Sequence, residues 1–174
     1  MNAEKTSHTV ALPDAEALCV QLAALIRPQL QPETVLVGIH SGGAWVAQRL
    51  QTLLGLDREI GLIDVSFYRD DYGARGLHPR VQPSSIPFDV EGRRLILVDD
   101  VLYTGRTTRA AINELFDYGR PAVIQLAVLA DRGHRQLPIC ADFCPWRVDL
   151  DPSSELVLSL DDGGRLQWSL DEHA

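Results

Sequence analysis

Asp99 and Asp100 stand side by side at the end of an apolar run, in the stretch ILVDDVLYTGRTTRAAI over residues 96–112. Ionised carboxylates so close repel each other, so a cation or hydrogen donors belong beside them. Val101, Leu102 and Tyr103 lead directly into Thr104-Gly105-Arg106-Thr107-Thr108, where a helical pattern begins. The first turn of a helix has free backbone N–H groups and the positive end of the dipole, which together suit an anion. Each such contact is worth about 0.3–1 kcal/mol when exposed. Gly105 lets the backbone come close to a ligand, and the three threonines add hydroxyl donors. Carboxylates repel phosphate, so the acidic pair must face another part of the same ligand. Sugar hydroxyls donate to ionised carboxylates. A ribose 5-phosphate meets both demands, with its 2′ and 3′ hydroxyls on Asp99 and Asp100 and its phosphate on the loop that follows.

Other chemistries fit less well. A GxxxxGK[ST] nucleotide loop is absent, and Lys5 is the only lysine in the chain. Gly38, Gly42 and Gly43 have the wrong spacing for a GxGxxG dinucleotide turn. Magnesium-binding Asp pairs of phospho-acceptor domains need no phosphate loop immediately downstream. An ordinary acidic turn before a threonine-capped helix would explain a lone Asp-Asp, but it explains the full string VDDVLYTGRTT poorly.

The elements that must hold these residues alternate. A helix starts at Pro13-Asp14, with Leu18, Leu22, Leu25 and Ile26 at helical spacing, and Pro28 and Pro32 close it. Residues 34–39 read as a buried strand, broken by His40-Ser41-Gly42-Gly43; residues 44–54 read as an amphipathic helix. Residues 60–68 and 94–98 are strands, 106–118 a helix stopped by Gly119 and Pro121, and 122–130 a fourth apolar strand. This order predicts an α/β fold with a mostly parallel central sheet flanked by helices. Between Arg69 and Pro87 lie glycines and prolines with few apolar side chains, the composition of a lid, a binding loop or a disordered segment. The tail reads as a β-hairpin: ELVLSL, a turn at Asp161-Asp162-Gly163-Gly164, then RLQWSL.

The 174 residues make one domain, and a formal net charge of −8 argues against generic nucleic-acid binding. Cys19, Cys140 and Cys144 are odd in number and lack zinc-ligand spacing, so reduced thiols are expected. No apolar segment suggests a secretion signal or a membrane span, and the expected setting is soluble and cytoplasmic.

The acidic pair followed by TGRT resembles the phosphoribosyl diphosphate signature of type I phosphoribosyltransferases. The runs IDVSFYRDD (63–71), IPFDVEGRRLILVDDVLYTGRTTRAAINELFDYGRP (86–121) and IQLAVLADRGHRQLPICADF (124–143) are similar to the PyrR family, pyrimidine-operon regulators that are also uracil phosphoribosyltransferases. The resemblance implies a single domain over residues 1–174. Its core would cover about 33–143, its hood about 1–30 and 144–174, and its lid about 69–87. It implies the reaction of uracil with phosphoribosyl diphosphate to give UMP and diphosphate, with Mg2+, in a homodimer or homotetramer.

It also implies roles. Asp99 and Asp100 would hold the ribose and favour an oxocarbenium-like ring, with Arg69 of the YRDD match in the catalytic set. Ile39, His40, Ser41, Gly42 and Gly43 match the pyrophosphate loop, with a cis peptide bond expected near Ile39-His40. That loop departs from the familiar pattern, which has lysine and arginine where His40 and Gly42 stand. Weaker diphosphate binding follows unless Arg69, Arg75 or Arg80 reaches in. Tyr103 replaces an aspartate of purine-salvage relatives and is consistent with a pyrimidine. Arg132, Leu156 and Val157 would line the base, and Asp161 would approach the metal. RNA is left open as a partner through His134, Arg135 and Arg147, although Cys140 and Pro145-Trp146 stand where that pattern is basic. Three alternatives remain: an mRNA-binding attenuator, a nucleotide-sensing regulator with little turnover, and a purine-salvage phosphoribosyltransferase.

Overall fold

The computed structural model describes residues 11–65 and 83–172. Helix α1 spans Ala15–Ile26, and the Asp14 carboxylate caps it by accepting from the backbone N–H groups of Glu16 and Ala17 at 2.9 and 3.2 Å. The bond from Ala17, ahead of the Arg165 partner, holds the Asp14 carboxyl below its usual range. A 3₁₀ turn, Arg27–Gln29, ends the helix where Pro28 interrupts it. Strand β1 (Val35–Ile39) is buried along its whole length, as a central parallel strand must be. Helix α2 (Gly42–Leu54) stops at Gly55, whose φ of 69° no β-branched residue would accept.

Strand β2 (Gly61–Ile63), β3 (Arg94–Leu102), helix α3 (Arg106–Asp117), β4 (Val123–Asp131) and the short β5 (Trp146–Arg147) follow. The sheet order is β2-β1-β3-β4-β5, and every pairing is parallel. Strands β6 (Ser154–Leu160) and β7 (Leu166–Glu172) form a separate antiparallel hairpin, with Leu158 opposite Trp168. The α/β architecture and the hairpin are as expected. The expected strand at 60–68 is shorter: β2 covers only Gly61–Ile63, residues 64–65 are no longer strand, and residues 66–68 lie outside the described residues.

Each face of the sheet carries its own core. On one, Leu22 and Ile26 of α1 and Leu50 of α2 meet Leu36, Ile96 and Val98. On the other, Leu115 and Ala111 of α3 meet Val37, Leu95, Leu97 and Val128. Fully burying each such aliphatic side chain contributes about 1.5–3 kcal/mol. Leu50 is completely buried, and truncating it to alanine would cost about 2–5 kcal/mol. A smaller cluster of Ala130, Leu150 and Leu156 joins the hairpin to the end of β4. Trp146 and Trp168 pack there, ring centroids 5.8 Å apart. Arg49 of α2 bonds the Glu16 carboxylate and the Gly164 carbonyl, so the hairpin turn is tied to both helices. No described helix is long and apolar enough to cross a membrane.

Candidate active site

The carboxyl ends of β1 and β3 carry the two loops that the sequence reading singled out, the usual place for ligands in an open α/β sheet. Two boundaries differ from expectation. β3 does not stop before the acidic pair but runs through it to Leu102, because β4 supplies backbone partners that far: Asp99 lies opposite Val128 and Val101 opposite Ala130. Ile96 and Val98 face the α1–α2 core while Leu95 and Leu97 face the α3 core. The same alternation sends Asp99 and Asp100 to opposite sides of the strand, which separates their charges. The Asp100 N–H donates to Asp99 Oδ1 at 3.0 Å. Both residues are buried, and the Asp100 carboxylate has no hydrogen bond or ion pair among the described residues.

The second difference lies in the first loop. Gly42 and Gly43 belong to the first turn of α2 rather than to the loop before it. A Cβ on Gly42 would lie 2.3 Å from Asp100 Oδ2, and one on Gly43 would lie 2.3 Å from the Val98 carbonyl oxygen. Only glycines allow the start of α2 to press against β3 here. The cationic side chain expected at position 42 in the family pattern has no room in this arrangement. The orphan amides of a helix start therefore stand beside the acidic pair. The cis peptide bond joins His40 to Ser41, one bond later than expected, and the His40 N–H donates to the Ile63 carbonyl at 2.8 Å.

The loop after β3 turns at Gly105, with φ 92°, and α3 begins at Arg106. Thr104 and Thr108 are buried; Thr107 is half-buried and is the most accessible hydroxyl of the three. Thr104 Oγ1 accepts from the Arg106 N–H at 3.3 Å. The segment 131–139 braces this loop: the Thr104 carbonyl accepts from the N–H groups of Gln136 and Leu137, and Arg106 donates to Gln136 Oε1 at 3.0 Å. A Cβ on Gly105 would meet Ile139 at 3.0 Å. The Gln136 contact was not foreseen, and nothing local in the sequence marks it.

Several expected contacts are already committed elsewhere. Arg135 grips both Asp131 oxygens at 2.6 and 2.7 Å, donates to the Ile139 carbonyl at 2.9 Å and also bonds the Tyr103 carbonyl. The i, i+4 spacing of Asp131 and Arg135 was the available signal, in a loop rather than a helix. His134 Nε2 lies 3.2 Å from Asp149 Oδ1, and Arg147 is exposed on β5. Arg132 donates to the carbonyls of Asp151 and Ser154 at the hairpin. The Leu156 side chain belongs to the small core under the hairpin, and Val157 is half-buried. Asp161 Oδ1 accepts from the N–H groups of Gly163 and Arg165 at 2.8 and 2.9 Å and closes the hairpin turn. Arg69, Asp70, Arg75, Arg80 and most of the expected lid lie outside the described residues.

A parallel sheet with an acidic pair and two helix starts converging on its carboxyl edge defines a phosphoribosyltransferase. Residues 10–160 match the family described as phosphoribosyl transferase domain. Among solved structures, the chain is similar to a purine phosphoribosyltransferase from Pyrococcus horikoshii, with a TM-score of 0.59 and 29% identity over 78% of this chain and 83% of that one. A hypoxanthine phosphoribosyltransferase from Staphylococcus aureus shares the fold, with a TM-score of 0.63 at 21% identity over 81% and 76% of the two chains. The Bifunctional protein PyrR of Ralstonia nicotianae is 55% identical over 149 residues, covering 83% of this chain and 85% of the relative. That of Pseudomonas paraeruginosa is 50% identical over 153 residues, covering 86% and 90%. The chain belongs to the PyrR family of phosphoribosyltransferases.

Proposed function

We propose that the chain transfers the phosphoribosyl group of phosphoribosyl diphosphate to uracil, giving UMP and diphosphate. The observation that carries this reading is the buried Asp100 carboxylate, held against the glycine start of α2 and one loop away from the start of α3. Asp99 and Asp100 accept from the ribose hydroxyls and favour the positive charge that grows on the ring as its C1–O bond breaks. The amides at the start of α3, with Thr107, hold the 5-phosphate. The amides of residues 39–43 hold the diphosphate as its negative charge grows. The family generally works with magnesium. Among the described residues no cluster of three metal-ligating side chains exists, so the fit is to an ion that substrate hydroxyl and diphosphate oxygens would hold. Such an ion supplies Lewis-acid stabilisation of the leaving diphosphate.

Tyr103, the 131–139 segment and the backbone of β6 around Leu156 and Val157 flank the base. Arg69 and the segment 69–87 act as catalytic cation and lid, which keeps water from the reacting centre. The chain works as a single domain, core about 33–143 and hood from both termini, in a cytoplasmic homodimer or homotetramer.

The experiment is a base panel. Protein, magnesium and labelled phosphoribosyl diphosphate are mixed with uracil, cytosine, orotate, guanine or hypoxanthine. UMP alone is expected; turnover of guanine or hypoxanthine alone would move the chain to purine salvage.

A second reading, regulation through RNA, is favoured by the word bifunctional in the relatives' shared name. Its candidate contacts are His134 and Arg147, since Arg135 is spent inside its own loop. Binding to the chain's own operon leader, measured against salt with and without uridine nucleotides, tests it; nucleotide-independent weak binding would remove it.

A further inference from the structure

Arg132 follows the last residue of β4, and its side chain is buried at 4% exposure. Nη1 donates to the Ser154 carbonyl at 2.6 Å and Nη2 to the Asp151 carbonyl at 2.9 Å, both at the start of the hairpin. The guanidinium carbon lies 4.1 Å from the centre of the Tyr103 ring. Nε is buried without a hydrogen-bond partner, and no carboxylate pairs with the group among the described residues. A buried cation so placed costs more than an apolar side chain of equal volume. What it provides instead is geometry: a rigid planar fork that fixes two carbonyls on its edge and a ring on its face.

Tyr103 is the first residue after β3 and directly precedes Thr104, so it links the acidic strand to the phosphate-facing loop. Its ring also stands edge-on to His134, with centroids 6.5 Å apart, and its carbonyl accepts from Arg135. We propose that Arg132 is a positioning residue: through the face of Tyr103 it couples the C-terminal hairpin to the loop 101–108, so that both meet the ligand as one preorganised surface. The ligand then finds the hairpin already ordered, which removes part of the entropy cost of binding. The inference rests on reading 101–108 as the ribose-phosphate loop.

UMP binding by titration calorimetry tests it, with thermal unfolding of each variant alongside. Arg132→Met and Tyr103→Leu should each raise the UMP Kd by about tenfold or more, Arg132→Lys by less. The double variant should be no more than about twofold beyond the worse single one, because both changes cut the same link. Tyr103→Phe keeps a ring over the guanidinium and should recover most of what Tyr103→Leu loses. A purely structural role would lower the unfolding midpoint and leave the Kd of the folded protein unchanged, and that result overturns the inference. So do losses that multiply in the double variant. If Arg132→Met does not fold, Arg132→Lys takes its place in the cycle, with the smaller loss expected of it and the same bound on the double variant. A wild-type protein that fails to bind UMP sinks the reading of the site and this inference with it; wild-type binding that the variants leave intact sinks the inference alone.

Discussion

Replacing Gly42 with alanine adds one methyl group at the point where α2 meets the acidic pair. The new Cβ would lie 2.3 Å from Asp100 Oδ2 and 2.4 Å from its Cγ. Ordinary contact needs about 3.5 Å, so either the carboxylate or the helix start must move by roughly 1 Å. Overpacking of this kind costs about 1–3 kcal/mol of stability. A misplacement of about 1 Å at a reacting centre costs about 100-fold in rate. Denaturant unfolding and steady-state UMP formation measure the two effects on one preparation. A second background separates them. Asp100→Ala removes the two nearest contacts, leaving the Cβ at 2.9 Å. There, Gly42→Ala should cost clearly less stability than in the wild type. The reasoning is refuted if Gly42→Ala keeps turnover within about twofold of wild type, or if its stability cost is the same with and without the Asp100 carboxylate.

The acid groups themselves are tested by Asp99→Asn and Asp100→Asn, each expected to lower kcat/KM by at least about 100-fold with little change in unfolding midpoint; near-normal rates in both would end the assignment. Arg135→Met removes the cationic partner of Asp131 and leaves that half-buried carboxylate with only the Gly133 N–H, so a loss of about 1–3 kcal/mol is expected in chemical unfolding. Wild-type stability after this change would show the loop to be held by other contacts. Burial pushes the Cys19 thiol from its ordinary 9.0 up to about 12, whereas Cys140 is exposed. A thiol reagent at pH 8 should therefore label Cys140 first and reach Cys19 only on unfolding. The unfolded chain ionises Cys19 near pH 9 and the folded one near 12, so this contribution to stability is whole below 9 and falls as pH rises between the two. A Cys140→Ser variant whose unfolding midpoint stays flat across that range would contradict it.

Much of this architecture was readable from periodicity. β1 and β4 are apolar runs of strand length, and α1 and α2 show helical spacing, so the alternation that implies a parallel sheet needed no other information. The acidic pair and its loop were readable because their chemistry is local. What escaped depends on distant partners. Aspartates look like the end of a strand, yet β4 extends β3 by pairing Asp99 with Val128 and Leu102 with Asp131. Two glycines look like a loop, yet Gly42 and Gly43 lie in a helix because β3 leaves no room for side chains there. β5 is two residues long and exists only through Ala130 and Asp131 of β4. Arg132 and Arg135 read as free cations for a ligand, and only the fold shows the carbonyls that consume them.

Because neighbouring aspartates on one extended strand answer to different helices, the pair behaves like a reading frame. Deleting or inserting a single residue between Arg94 and Val98 would swap their allegiances while leaving both letters in place. Such an indel should abolish function as thoroughly as removing the acids. Substitutions in α2, by contrast, can retune one oxygen pair without reaching the other.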